Sequence, residues 1–184
     1  MRFWVRSSMG SGGDTAKLKT ETTLFVLEDP DGFVARALQS GADLREFSDR
    51  LRSSVTVSGN MVLDEGREYI LKAIAGVAGI TPFDGNNAHI GVGNSTEPEH
   101  PSQTGLMGTS KYYKRVDAGY PKLTATSIVF RATFGPDEAN FDWMEWTIAN
   151  GPSDDAVNLN RKVAVLGRKY EGTTWVLQVS VSIS

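Results

Sequence analysis

The sequence predicts a mainly β protein, an antiparallel β-sandwich with one or two short helices and an extended N-terminal arm. Apolar and polar residues alternate with a period of two in several segments between residue 88 and the end of the chain. Turns rather than helical segments separate these strands, which favours antiparallel pairing over a βαβ arrangement. The 19 glycines are typical of a chain with many turns.

The first part of the chain, residues 1–58, is predicted to be an arm with a short strand and a helix that serves as an assembly contact. Residues 1–20 include SSMGSGGD, a composition typical of linkers. Phe3 and Trp4 lie before it and are candidate assembly contacts, since a buried aromatic residue is a common interface anchor. TTLFVLEDPDG predicts a strand that ends in a turn, and DLREFSDRLRSS, from Asp43, predicts a short helix.

A second helix is predicted over Leu63–Ala75, in the segment NMVLDEGREYILKAIAG. Helical spacing puts five apolar residues on one stripe, namely Leu63, Ile70, Leu71, Ile74 and Val77. We expect this helix to cover one edge or end of the sandwich. Gly66 lies within it and is expected to cost about 1 kcal/mol relative to alanine.

The remaining chain, residues 59–184, is predicted to form the β-sandwich itself. Its period-two strands are NAHIGVGNS, SIVFRATF, RKVAVLG and TTWVLQVSVSIS. Between the first two lies STEPEHPSQTGLMGTSKYYKRVDAGYP, which has no sustained period. Connections longer than about 15 residues are usually functional or disordered in compact domains.

The segment FGPDEANFDWMEW combines carboxylates with tryptophans and has two interpretations. Asp137 or Glu138 could act with Glu145 as a hydrolytic pair, if both flanked a cleft. Alternatively, the segment forms a structural hairpin with its turn acids in water, and Glu145 accepts backbone hydrogen bonds. A catalytic site needs converging partners and not only acids, so we favour the hairpin, whose candidate residues are Phe141, Trp143, Glu145 and Trp146.

Other chemistry has weak support in the sequence. The chain has no cysteine, which excludes thiol and disulfide chemistry. His89 and His100 are its two histidines, and Glu97 and Glu99 beside His100 do not have a recognised metal-ligand spacing. Gly91-Val92-Gly93 lacks the rest of a phosphate-binding loop. We therefore predict no catalytic residue, no metal, no cofactor and no small-molecule substrate.

The charge balance restricts the partners. A net charge of −3 and a pI near 5.4 argue against nucleic acid and against an anionic membrane surface. The run Lys111–Arg115 mixes basic and aromatic residues, as single-strand binders do. In an acidic chain it is better explained as a protein contact, so Tyr112 and Tyr113 are candidate assembly contacts. The apolar run at the start is too short for a signal peptide, and no segment has the length of a membrane span.

Several motifs together carry a resemblance: GNMVLDEGREYILKAIAG, NAHIGVGNST, QTGLMG, DAGYP, FRATFGPDEANFDWMEWTIANG and LNRKVAVLGRKYEGTTWVLQVSVSIS. In this order they resemble a group of small virion structural proteins of tailed bacteriophages and prophages. The resemblance covers residues from about 59 to the end, roughly two-thirds of the chain, and does not include the first 58 residues.

This resemblance implies a β-rich structural subunit without an active site, which packs against copies of itself and other virion proteins. The expected function is a tail, neck or fibre-attachment component of the virion, assembled in the host cytoplasm as a homo-oligomer. Three alternatives remain open: a capsid decoration or cement protein, a carbohydrate-binding or hydrolysing sandwich, and a head component that contacts nucleic acid. Exposed tryptophans in a groove would favour the carbohydrate alternative, and a basic face would favour the nucleic-acid alternative.

Overall fold

A computed structural model of the chain describes residues 18–183. Their helices and strands are, in chain order, β1 (Leu18–Glu28), α1 (Phe33–Gln39), a 3₁₀ helix (Leu44–Arg50), β2 (Leu51–Ser58), β3 (Met61–Val62), α2 (Asp64–Ile74), β4 (His89–Gly93), β5 (Lys111–Arg115), β6 (Lys122–Leu123), β7 (Ser127–Phe134), β8 (Asp142–Ala149), β9 (Asn160–Arg168) and β10 (Thr173–Ile183). They form two five-stranded antiparallel sheets, in the orders β2-β1-β10-β7-β6 and β3-β9-β8-β4-β5. The predicted fold class is confirmed.

The core lies between the two sheets and follows the predicted alternation. In β10 the predicted apolar face contributes Trp175, Leu177, Val179 and Val181, all buried, whereas Ile183 at the end of the same face is exposed. β4 contributes Ile90 and Val92 from the opposite sheet. Aromatic rings join the layers through edge-to-face contacts, which the ring quadrupole favours.

The prediction that FGPDEANFDWMEW forms a hairpin is wrong. β7 pairs with β10 and β6 in the first sheet, whereas β8 pairs with β4 and β9 in the second. Residues 135–141 therefore carry the chain from one sheet to the other. The aromatic residues at the two strand ends meet across the core, with ring centroids 4.7 Å apart for Phe134 and Trp143.

The strand that follows this crossover also breaks the predicted alternation. The pairing of β8 with β9 shifts register between Trp143 and Glu145. As a result, Trp143 and Trp146 both lie in the core, although strict alternation would place them on opposite faces. Phe141 is partly buried against the same core.

Residues 18–58 are part of the sandwich, so the division at residue 58 does not separate two packed units. β1 pairs along its whole length with β10 and on its other side with β2. α1, which the sequence pattern did not reveal, packs with the 3₁₀ helix on the outer face of this sheet around Leu27, Val34, Leu38, Phe47 and Val176. Of the predicted arm of residues 1–20, residues 18–20 belong to β1, and residues 1–17, which include Phe3 and Trp4, lie outside the described residues.

The second predicted helix is present as α2, but its apolar stripe is only partly buried. Leu63, directly before the helix, is fully buried, and Ile70 packs against the core. Leu71, Ile74 and Val77 are exposed. The helix therefore touches the sandwich with one part of its stripe and leaves the other part on the surface.

Candidate functional site

The strongest concentration of buried charge joins β8 to β9. Glu145 and Arg161 are both fully buried, and Arg161 Nε donates to Glu145 Oε2 at 2.6 Å. We call this pair and the groups bonded to it the Glu145 centre. A buried pair of this kind needs further hydrogen bonds to offset the loss of hydration.

The carboxylate obtains those bonds from the long connection between β4 and β5. Met107 N donates to both Glu145 oxygens at 3.1 Å, Gly108 N donates to Oε1 at 2.7 Å, and Ser95 N donates to Oε1 at 3.3 Å. The prediction that Glu145 accepts backbone hydrogen bonds is confirmed. Hydrogen bonds to the Glu145 carboxylate therefore fix this connection against β8.

The Glu145 carboxylate fits at this place because Gly93 and Gly108 have no side chains. A Cβ at Gly93 would lie 2.4 Å from Glu145 Oε1, and a Cβ at Gly108 would lie 2.9 Å from the same atom. At Gly91, the ring of Tyr113 would lie 2.6 Å from such a Cβ. The GVG motif thus allows side chains to approach the backbone closely, which is a common role for a strand glycine.

Arg161 extends the same centre to the segment that carries EPEH. Its Nη1 donates to Glu97 O and to Gln103 Oε1, both at 2.9 Å, and more weakly to Pro98 O at 3.3 Å. Glu99 Oε1 accepts a bond from Val163 N at 2.8 Å. The carboxylate of Glu99 and the backbone carbonyl of Glu97 therefore hold this segment on β9.

A second polar cluster fixes the other end of the connection. Asp154 accepts bonds from Tyr113 Oη at 2.5 Å, Lys111 Nζ at 2.6 Å and Leu106 N at 2.9 Å. Burial alone would raise the pKa of Asp154, but these donors hold it below its usual value. Burial, together with the bond to Asp154, raises the pKa of the Tyr113 phenol, so this hydroxyl stays protonated.

Tyr112 and Tyr113, predicted as assembly contacts, use their hydroxyls inside the subunit. Tyr112 Oη donates to Glu138 Oε1 at 3.1 Å, and its ring packs edge-on against Phe134. The lysines of the same run are also engaged, Lys111 with Asp154 and Lys114 with Glu138. The Lys111–Arg115 run is therefore largely tied into its own subunit.

The acids of the crossover do not behave alike. Asp137 is exposed, as predicted. The prediction that Glu138 is also a solvated turn acid is wrong, because its carboxylate accepts bonds from Lys114 Nζ at 2.6 Å and Gly135 N at 2.8 Å. Partial burial would raise the pKa of Glu138, but these donors hold it below its usual value.

Lys169 closes the crossover from the side of β9. It is fully buried, and its ammonium donates to Gly135 O at 2.7 Å and Asn140 Oδ1 at 2.9 Å. Burial lowers the pKa of Lys169 to about 8, although the negative charges of Glu138, Asp137 and Asp29 act in the opposite direction.

The histidines do not meet. His89 Nδ1 lies 2.7 Å from Asn87 O, and His100 Nδ1 lies 2.8 Å from Ser102 Oγ. Within residues 18–183, no group of three or more histidine, aspartate or glutamate side chains is close enough together to hold a metal ion.

The Glu145 centre binds its own loop, and its carboxylate is fully engaged in doing so. A hydrolytic pair needs two carboxyl groups beside a cleft, whereas Glu145 is fully buried and already accepts bonds from Arg161 and three backbone amides. Sequence reasoning missed Arg161 and Asp154. Arg161 lies on the neighbouring strand, two residues from Val163, which pairs with Glu145. No pattern within the sequence reveals that β8 and β9 are neighbours.

In the part of the chain that the structure describes, no helix is both long and apolar enough to cross a membrane. Comparison of the chain with protein-family models, with curated proteins and with solved structures found no match.

Proposed function

We propose that the chain is a non-enzymatic structural subunit of a tailed-phage virion. In this proposal it is a tail, neck or fibre-attachment component that acts through self-assembly and through contacts with neighbouring virion proteins. It is assembled in the host cytoplasm and ends in the virion.

One observation carries the proposal. The motifs behind the phage resemblance lie far apart in the sequence, yet Gly93 of GVGNST, Met107 and Gly108 of QTGLMG, Glu145 of the tryptophan segment and Arg161 of LNRKV meet at the Glu145 centre. Residues that the motifs contribute to such a centre stabilise the fold and take no part in a reaction. The resemblance is therefore best explained by a common fold.

Assembly is supported by the surface. Leu123 and Ile183 are exposed and line one apolar groove together with Ile70 of α2, and Leu71 and Ile74 of the same helix are also exposed. Clustered apolar residues on the surface of a subunit mark contact sites for other proteins. A subunit that works by packing against copies of itself needs such a surface.

The alternatives receive less support from the described residues. Trp143, Trp146 and Trp175 are all buried, so none of them lines an exposed sugar-binding groove. The basic run that suggested nucleic acid has two of its cations paired with carboxylates. A decoration protein on the head stays an alternative, and the experiment below separates it from a tail component.

The test is to purify particles from cells that carry the gene and to measure this chain by quantitative mass spectrometry. Separated heads and tails are analysed in parallel, with a non-structural cytoplasmic protein as the control for carry-over. We expect the chain in the tail fraction at a fixed copy number per particle. Enrichment in heads would support decoration instead, and a chain found only in the particle-free supernatant would refute a virion role.

A further inference from the structure

An apolar groove of about 560 Å³ opens at one end of the sandwich. We call it the open groove, and its walls include Leu18, Ile70, Phe83, Leu123, Ile128 and Ile183. Its volume lies within the range of pockets that hold a ligand. It sits between α2, the β6–β7 turn, the start of β1 and the end of β10.

The apolar surface continues past the groove along α2. Ile70 lines the groove, and Ile74 follows it one turn later at the end of the helix. Leu123, Ile74, Ile183 and Leu71 are 82%, 80%, 69% and 67% exposed. A short peptide could fill the groove but would leave this flank uncovered, whereas the body of a neighbouring subunit could cover it.

The chain itself contains a segment suited to the groove. Phe3, Trp4 and Val5 form an apolar triplet, and residues 6–17 connect it to Leu18, which is a groove residue. A connection of that length spans about 40 Å when extended, enough to reach a groove on an adjacent copy. Burying an aromatic side chain removes about 150–250 Å² from water, so the triplet could supply much of the binding free energy.

Charge favours the same pairing. Arg2 and Arg6 flank the triplet in the sequence. Glu65, Glu68 and Asp155 line a depression beside the groove, where Lys72 pairs with Glu68, and Tyr69 is shared by both. The depression therefore holds three acids and one lysine. A cationic segment laid into the groove would therefore meet an acidic border.

We propose that the open groove receives Phe3-Trp4-Val5 of a second copy of this chain, while the body of that copy covers the apolar flank of α2. This inference rests on the proposed function, because it names the contact through which the subunit assembles.

Cross-linking of the full chain tests it, since the sequence contains no native cysteine. One copy carries Arg6→Cys, which keeps the apolar triplet, and a larger tagged copy carries Thr126→Cys on the groove wall. In the control pair, Val165→Cys, at an exposed position on β9, replaces Thr126→Cys. Mild oxidation should give at least about five times more mixed covalent dimer with Thr126→Cys than with this control. Equal yields would overturn the proposal. So would a disulfide that forms only within one chain when both substitutions are combined.

Sedimentation of single variants provides the second measurement. Leu123→Glu should weaken self-association at least about tenfold, whereas Val165→Glu, at a similarly exposed position, should leave it near that of the wild type. If the wild type assembles and both variants behave alike, the groove proposal fails and the structural function stands. If the wild type does not assemble at any concentration, self-assembly itself is refuted.

Discussion

The Glu145 centre and the open groove differ in how their side chains are satisfied. At the Glu145 centre, buried charges meet partners from the same chain, and a long connection closes over them. At the open groove, apolar side chains of α2, β6 and β10 face outward. In the first region the same chain supplies the hydrogen-bond partners, apart from Arg161 Nη2, which is buried without one. In the second, the rest of residues 18–183 leaves apolar side chains exposed.

The two ends of the first sheet repeat this contrast. At one end Phe134 pairs with Trp175, and Lys169 and Glu138 bind the crossover that follows. At the other end Leu18 pairs with Ile183 beside the open groove. Polar side chains thus close one end of the sheet, whereas the other end carries the apolar side chains of the open groove.

The largest expected effect breaks the Glu145 centre. Arg161→Met leaves Glu145 buried without its cation and removes the bonds to the segment with Glu97 and Gln103. We expect the free energy of unfolding in urea to fall by about 3–5 kcal/mol. Arg168→Met, which removes the exposed pair with Asp142 and an exposed contact with the Tyr170 ring, should cost less than about 1 kcal/mol. Similar losses for both variants would refute the difference between buried and exposed pairs.

A pH experiment sharpens the description of the crossover. The pKa of Lys169 is about 8 in the folded chain, compared with 10.5 for an ordinary lysine. The folded state therefore binds fewer protons than the unfolded state between these values, and the contribution of Lys169 to stability rises as the pH rises through this window.

We expect wild-type stability to gain about 2 kcal/mol relative to Lys169→Met when the pH is raised from about 7.5 to about 9.5. The measurement is urea unfolding of both proteins at both pH values. Subtracting the variant removes the contribution of the other titrating groups. Parallel pH profiles would show that Lys169 does not titrate in this window.

A matched pair of substitutions separates the two crossover acids. Glu138→Gln removes the charge that holds Lys114 and should cost about 1–2 kcal/mol of unfolding free energy. Asp137→Asn, at an exposed position, should change it by less than about 0.5 kcal/mol. Thermal and urea unfolding measure both variants, and a larger loss at Asp137 would contradict the assigned roles.

The smallest expected effect concerns the open groove. Leu123 is exposed in the single subunit, so Leu123→Glu should change the unfolding free energy by less than about 0.5 kcal/mol at dilutions where copies are separate. Leu177→Ala, in the core, should cost about 2–5 kcal/mol by the same measurement. A large loss for Leu123→Glu in the dissociated state would mean that this residue supports the fold and not association.

The sequence by itself determined the fold class, because period-two alternation follows directly from strand geometry. It placed the inner faces of β4, β7 and β10 and predicted that Glu145 accepts backbone hydrogen bonds. These features depend on local spacing or on the chemistry of one residue. They can therefore be read before any strand is paired.

Only the tertiary structure decided which strands pair, and the contacts of the Glu145 centre depend on this pairing. The tryptophan segment crosses between sheets instead of forming a hairpin, and Arg161 reaches Glu145 because β8 and β9 are neighbours. Helix propensity alone predicts that Gly66 weakens α2. However, a Cβ at this position would lie 2.2 Å from Leu159 O, so close packing requires the glycine. Periodicity marks which residues are apolar, but whether a stripe such as that of α2 is buried depends on what the rest of the chain, or another copy, places against it.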